Sequence, residues 1–362
     1  MKLSTLCRPF FFARRYLSSS ATCRTSSCKA LVYHKLGQPE EVVQLDGNHP
    51  LREMGADDIT VDMMVCPVNP SDINQIQGVY ALRPPLPAVP GGEGMGVVSA
   101  IGSHVTSLQT GDWVIPAVPS LGLWRTQVVE NEKIFMKVRS DIAMETAATL
   151  SVNPTTAYRM LRDYVHLERG CCVIQNGANS GVGEAVIQLA AAWGFKTINI
   201  IRDRPNFDEV KNYLMELGAT EVVTEEFCGS HKMTSLIEST GKPLLGLNTV
   251  GGKSATNLMK QLANSGTMVT YGGMSKKPVT VGTGSLIFKD LRIVGHWNSQ
   301  WVTKNSKSED HHTMIDELCA LAAQGSLKAK HCLTHPLNEY RTALCKSMTP
   351  FVGTKQLINM QP

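Results

Sequence analysis

Seven residues, Gly177-Ala178-Asn179-Ser180-Gly181-Val182-Gly183, lie between the apolar run CCVIQN and the apolar-periodic run GEAVIQLAAAWG. Glycines at such a junction permit a tight turn and let backbone N–H groups approach a pyrophosphate, while the following helix N-terminus adds a favourable partial charge. A glycine cluster alone is a weak signal, because such turns are common. Here the strand before it, the helix after it and the spacing of a βαβ unit accompany it, and the loop reads as a dinucleotide site. The next apolar run, KTINIIR, leads into Arg202-Asp203-Arg204. A lone acid at that point would accept from a ribose 2′-hydroxyl, whereas arginines hold a 2′-phosphate by charge-assisted hydrogen bonds. Two arginines flank the single Asp203, which favours NADP(H); the plainer alternative is a solvated surface turn. Tyr271-Gly272-Gly273-Met274 ends a later strand, at the carboxyl edge of a sheet, and its glycines suit close approach to a nicotinamide ribose.

These residues need a doubly wound parallel sheet to position them. From Asn153 to Gly295 the pattern supplies one: CCVIQN, KTINIIR, EVVTEE, LLGLNTVG and GTMVTYGG read as strands. Helical runs alternate with them, one closed by Gly194 and one running from a possible cap at Asn206 to Gly218. Residues 28–149 differ. KALVYHKLG, DITVDMMVCPV, GMGVVSAIG and DWVIPAV are short strands among turns, and LRPPLPAVPGGEG must be irregular because each proline removes a donor and fixes φ. The fold class is therefore α/β, a mostly β domain joined to a Rossmann doubly wound domain. The expected division is 1–28, 29–152, 153–300 and a C-terminal segment 301–362. That segment opens with a helix over 309–324 and ends in a strand, TKQLINM, that returns to the first domain.

At 362 residues, 43% hydrophobic and 18% charged, the chain can bury more than one core. It holds no run of 18 uncharged apolar residues, which excludes a transmembrane helix. Residues 1–28 carry Lys2, Arg8, Arg14, Arg15 and Arg24, nine Ser or Thr and no acid, the composition of a mitochondrial transit peptide; a tail without function is the alternative. The rest of the chain is nearly neutral, which argues against nucleic acid as a partner. The ten cysteines include no CxxC pair, so neither a disulfide framework nor a zinc cluster is indicated, and the thiols read as small buried hydrophobes in a reducing compartment. His311-His312 are neighbours on a helix that cannot face one site and read as an exposed face.

NPSDINQIQGVY, LPAVPGGEGMGVV, SVNPTTAYRML, NSGVGEAVIQLAA, TINIIRDRP, TMVTYGGMSKKPV, IFKDLRIVG and KQLINM together resemble the mitochondrial trans-2-enoyl-thioester reductases. These form a zinc-free, quinone-oxidoreductase-like branch of the medium-chain dehydrogenase/reductase superfamily. The resemblance spans residues 29–362. It implies a GroES-like catalytic domain, NADPH as cofactor, an enoyl-CoA or enoyl-acyl-carrier-protein substrate, a homodimer and the mitochondrial matrix, without stable membrane insertion. Zinc dehydrogenases of the superfamily have GHE where this chain has Gly91-Gly92-Glu93, and a Cys near the place of Asn69. Without His and Cys there a tetrahedral site cannot be completed, no metal is expected, and Glu93 reads as a buried, hydrogen-bonded framework residue.

Reduction of an enoyl thioester by hydride at the β-carbon leaves an enolate whose α-carbon must gain a proton. By resemblance Tyr80, after NPSDINQIQGV, is that acid; from the residue alone it reads as a half-buried aromatic with its hydroxyl at the surface. Asn153 matches a residue near the nicotinamide, and it could equally cap the helix PTTAYRML. Asn179, Ser180, Gly181 and Val182, then Arg202, Asp203 and Arg204, then Tyr271, Gly272, Gly273 and Met274 match the cofactor segments. His296-Trp297-Asn298 stand where the family has an aromatic, Trp and an apolar residue, so only Trp297 is kept. Lys355 matches a lysine at the cofactor; its plain reading is an exposed strand lysine. Arg83, Lys276 and Lys277 are candidates for the substrate's phosphates or for ordinary surface charge. Two other functions compete: an NADPH-dependent quinone reductase of the same superfamily, which needs no carbon-protonating phenol, and an NADPH-binding protein without turnover.

Overall fold

The computed structural model describes residues 26–361. The expected targeting segment therefore lies, through residue 25, outside the described residues, and the first strand, Ser27–Tyr33, already begins inside its last two positions.

The apolar runs after Asn153 form a six-stranded parallel sheet. Its spatial order is Glu221–Thr224, Lys196–Ile201, Cys172–Asn176, Leu245–Asn248, Thr267–Thr270 and Arg292–Gly295. All five residues of Cys172–Asn176 are buried, as a strand covered on both faces requires. The order turns back between Cys172–Asn176 and Leu245–Asn248, where a crevice opens at the carboxyl ends of the strands. The helix Gly181–Trp193 begins at Ser180, whose Oγ accepts from Gly183 N at 3.1 Å, and ends at Gly194 with φ 78°. Asn206 precedes the helix Phe207–Glu216, but its side chain donates to Glu209 instead of capping the helix backbone. Arg292–Gly295, exposed at both ends, is a strand that apolar pattern did not reveal.

The first half builds a seven-stranded sheet around Asp58–Pro67, which pairs with Met95–Ile101 and Gln127–Asn131. The final strand, Lys355–Asn359, returns to it antiparallel, with Ile358 opposite Cys66. Between Ile76 and Met95 there is neither helix nor strand, as the prolines dictate. One core cluster spans both halves: Val65, Met95 and Ile115 from the first sheet pack with Leu161, Val186 and Leu247 from the second half. Each such side chain contributes about 1.5–3 kcal/mol by leaving water, and the shared core fixes one sheet against the other.

Cys28, Cys66, Cys172, Cys228 and Cys319 are buried free thiols. His311 departs from the expected exposed face. It is 2% exposed and packs edge-on to Trp301 at 5.6 Å, while His312 on the next helical position is exposed. Burial pushes its imidazole down to about 4, so it behaves as a neutral core ring.

Candidate functional site

The glycine-rich loop is shaped by contacts that a side chain would break. Gly177 has φ 59°, and a Cβ on Gly183 would stand 2.4 Å from the Ala178 carbonyl oxygen. A Cβ on Gly181 would stand 2.5 Å from Nδ2 of Asn153, so the loop and Asn153 meet. Asn153 is not a cap: it is the first residue of the helix Asn153–Asp163, Val152 holds the cap position, and no side chain caps that end. Its amide is left facing the loop. Lys330, from the C-terminal segment, holds the loop from behind, donating to the Asn179 carbonyl at 2.9 Å and pairing with Glu184. At the switch point Asn176 Nδ2 donates to Asn248 Oδ1 at 2.8 Å, and Thr249 N donates to Asn176 Oδ1 at 2.8 Å. Gly272 approaches Thr249 so closely that a Cβ would lie 2.4 Å from its Oγ1, whereas Gly273 faces open space and Met274 is exposed.

Arg202 and Arg204 stand at the end of the second nucleotide-sheet strand. Among the described residues neither takes part in an ion pair. Asp203 accepts from Arg204 N at 3.0 Å, so its carboxylate is turned onto its own backbone. Arg204 Nε donates to the Arg202 carbonyl at 3.4 Å, and the remaining guanidinium N–H groups of the two cations suit a 2′-phosphate better than a ribose hydroxyl.

Tyr80 follows the helix Pro70–Ile76, and its N–H donates to the Asn74 carbonyl at 3.1 Å. Its half-buried hydroxyl accepts from Trp297 Nε1 at 3.1 Å and lies 3.2 Å from Ser299 Oγ. The two rings meet edge to face, 6.4 Å apart. Trp297 and Ser299 come from the nucleotide half, at the start of the helix Asn298–Asn305. Asn298 Nδ2 donates to Thr155 Oγ1 at 3.1 Å, which ties this segment to the helix of Asn153. His296 is buried against Tyr164, with Nδ1 3.1 Å from the phenol oxygen, and burial pushes it down to about 4. It is neutral at physiological pH. Among the described residues His296 Nε2 and Asn298 Oδ1 are buried polar atoms with no hydrogen-bond partner, a feature that suits a bound group.

Lys355 is buried, unlike the exposed strand lysine of the plainer reading. Its Nζ donates to Asn69 Oδ1, and Asn69 Nδ2 donates to Glu93 at 2.8 Å. Glu93 also accepts from Val152 N at 2.7 Å, and Asp72 accepts from Asn69 N at 2.8 Å and Gly92 N at 3.0 Å. Burial pushes Glu93 up to about 7 and Asp72 up to about 6, each against the pull of the Lys355 ammonium. Gly92, between Gly91 and Glu93, offers no side chain to this network. Among the described residues no three His, Cys, Asp or Glu groups are placed to hold a metal ion. Sequence reasoning named Glu93 and Lys355 separately and missed their link through Asn69 to Val152, the residue before Asn153. It also missed Lys330 and Ser299, which carry no local signal.

On the substrate side, Gln75, Leu82, Arg83, Ser120 and Thr303 line an open cavity of about 420 Å³. Arg83 is exposed there, with Nε 3.4 Å from the Tyr80 carbonyl. Lys276 and Lys277 are exposed just beyond Met274.

The alcohol dehydrogenase GroES-like domain matches residues 55–136, and the zinc-binding dehydrogenase family matches residues 181–318. The human mitochondrial enoyl-[acyl-carrier-protein] reductase is 49% identical over 343 residues, 95% of this chain and 91% of the relative. The chain belongs to the mitochondrial enoyl-thioester reductase family. The Arabidopsis thaliana member is 47% identical over 92% of this chain and 88% of its own length. A solved Etr1p/NADP/crotonyl-CoA complex superposes with a TM-score of 0.85 at 35% identity, covering 92% of this chain and all of that one. The GroES-like and doubly wound halves expected from sequence are thus the architecture of this family as well as of the structure.

Proposed function

We infer that this chain is an NADPH-dependent reductase of trans-2-enoyl thioesters, carried on CoA or on acyl carrier protein, acting in the mitochondrial matrix. The observation that carries this reading is the Tyr80 hydroxyl, set between Trp297 and Ser299 beside the helix that begins at Asn153. When bound, the nicotinamide supplies hydride for the β-carbon. The residues that would hold the cofactor are Asn179, Ser180, Gly181 and Val182 at the pyrophosphate and Arg202, Asp203 and Arg204 at the 2′-phosphate. Asn153, the Tyr271–Met274 turn, the 296–298 segment and Lys355 complete the nicotinamide side. The orphaned atoms of His296 and Asn298 and the cradle around Gly181 and Gly183 fit such a group.

Tyr80 then gives its proton to the α-carbon. An indole can only donate, so the Trp297 contact occupies a lone pair of the phenol oxygen and leaves the phenol's own proton for an acceptor, Ser299 Oγ at 3.2 Å or the substrate carbon. The same N–H steadies the charge left on that oxygen. A quinone reductase has no carbon to protonate and gives this arrangement no task. The cavity at Leu82 and Ser120 takes the thioester's arm, with Arg83 at its edge.

The protein works as a homodimer. The edge strand Arg292–Gly295 pairs on one side only, with Thr267–Thr270, and beside it Leu286, Ile287 and Phe288 are 48%, 65% and 81% exposed. A second copy covers that apolar edge. The test of the activity is NADPH consumption with crotonyl-CoA. Binding without consumption, or consumption only with a quinone, rejects the reading.

A further inference from the structure

Arg202 and Arg204 are like charges two residues apart, and burial together with the Arg202 charge works against the charge on Arg204. Arg204 Nε donates to the Arg202 carbonyl at 3.4 Å, and both guanidinium faces rest on an aromatic ring from the far end of the chain. Phe351 lies between the helix Tyr340–Met348 and the strand Lys355–Asn359, in the segment that returns to the first sheet. The Arg202 guanidinium carbon sits over its ring at 4.2 Å and that of Arg204 at 5.1 Å. Phe351 has φ 62°, a left-handed backbone that a bulky residue rarely adopts, and it is 55% exposed. Neither its backbone nor core packing accounts for a phenylalanine here.

We propose that Phe351 is the residue that sets the preference for a 2′-phosphorylated cofactor, by holding both guanidinium groups in register. The proposal rests on reading Arg202 and Arg204 as the phosphate site. A cation–π contact uses the face of the guanidinium, and hydrogen bonds to phosphate use its edges, so one ring can hold both groups while the terminal N–H donors stay available, Arg204 Nε alone being spent on the Arg202 carbonyl. The arrangement also means that the two halves of the molecule build the phosphate site jointly: the cations come from the nucleotide sheet and the ring from the segment of the other sheet.

The test uses the full chain with 2′,5′-ADP and 5′-ADP as probes, measured by titration calorimetry. Phe351→Asn and Phe351→Gly suit the left-handed backbone and remove the ring; Phe351→Trp keeps a ring. The ring-less variants should bind 2′,5′-ADP about 10-fold more weakly, with 5′-ADP binding and the melting temperature unchanged, and the Trp variant should match wild type. Equal binding of 2′,5′-ADP by the Asn variant and wild type overturns the proposal, as does equal weakening of both probes. An Arg202→Ala/Arg204→Ala protein separates the two levels. If it discriminates between the probes as well as wild type does, the phosphate reading itself fails. If it does not discriminate but the Asn and Gly variants do, only the role of Phe351 fails.

Discussion

The indole of Trp297 donates a 3.1 Å hydrogen bond to the hydroxyl of Tyr80, across the junction of the two halves. One half contributes the phenol and the other fixes where its oxygen sits. The contact has a kinetic consequence. Trp297→Phe keeps a ring but removes the donor, and kcat for enoyl-CoA reduction should fall about 10-fold with NADPH binding little changed. An unchanged kcat removes Trp297 from its positioning role.

The proposed phosphate role of Arg202 and Arg204 predicts that they separate the two nicotinamide cofactors. Arg202→Ala/Arg204→Ala removes the charge-assisted bonds to a 2′-phosphate, and the KM for NADPH should rise by about 10²-fold while that for NADH barely moves. Steady-state kinetics with each cofactor checks this. Parallel losses for both cofactors contradict the phosphate assignment.

The buried Lys355–Asn69–Glu93 network makes stability depend on pH. Glu93 rises from 4.5 to about 7 on burial, so the folded protein keeps that proton to higher pH than the unfolded chain. Its unfavourable contribution is absent below the unfolded value, grows as pH rises between the two, and is complete above the folded one. Lys355 offsets part of it. Lys355→Met leaves the two carboxylates without their cation and should destabilise the protein by about 3 kcal/mol at pH 8 but much less at pH 5, where they protonate. Chemical denaturation at both pH values measures the difference; an equal loss at each contradicts the network.

In the proposed homodimer the exposed apolar edge at Leu286, Ile287 and Phe288 is the contact surface. Phe288→Asp places a charge on its most exposed ring, and the sedimentation coefficient should drop to that of a monomer without loss of folded structure. A dimer that persists moves the interface elsewhere.

Much of this molecule was readable where a local pattern carried it. The change from a fully apolar run to a helical period around Gly177–Gly183, the αL cap at Gly194 and the KQLIN tail, buried at its first four residues, each mark their element within a dozen residues. The site was readable only in pieces. Lys355 and Asn69 stand 286 residues apart, Tyr80 and Trp297 217, and no local periodicity reports such a contact. For Lys355 the plainer alternative to a cofactor lysine is an exposed strand position, because a lysine on a strand is usually exposed until a buried carboxylate network needs its charge. His311 was misplaced for a related reason: a neutral imidazole packs as an aromatic ring, yet reads as polar in sequence.

The central claim is that the Tyr80 phenol protonates the substrate. The direct test follows NADPH absorbance with crotonyl-CoA for wild type and Tyr80→Phe, with NADPH binding measured separately. The phenol's loss should lower kcat by at least about 10²-fold while cofactor affinity stays the same. Equal turnover by the two proteins would show that the proton comes from another group.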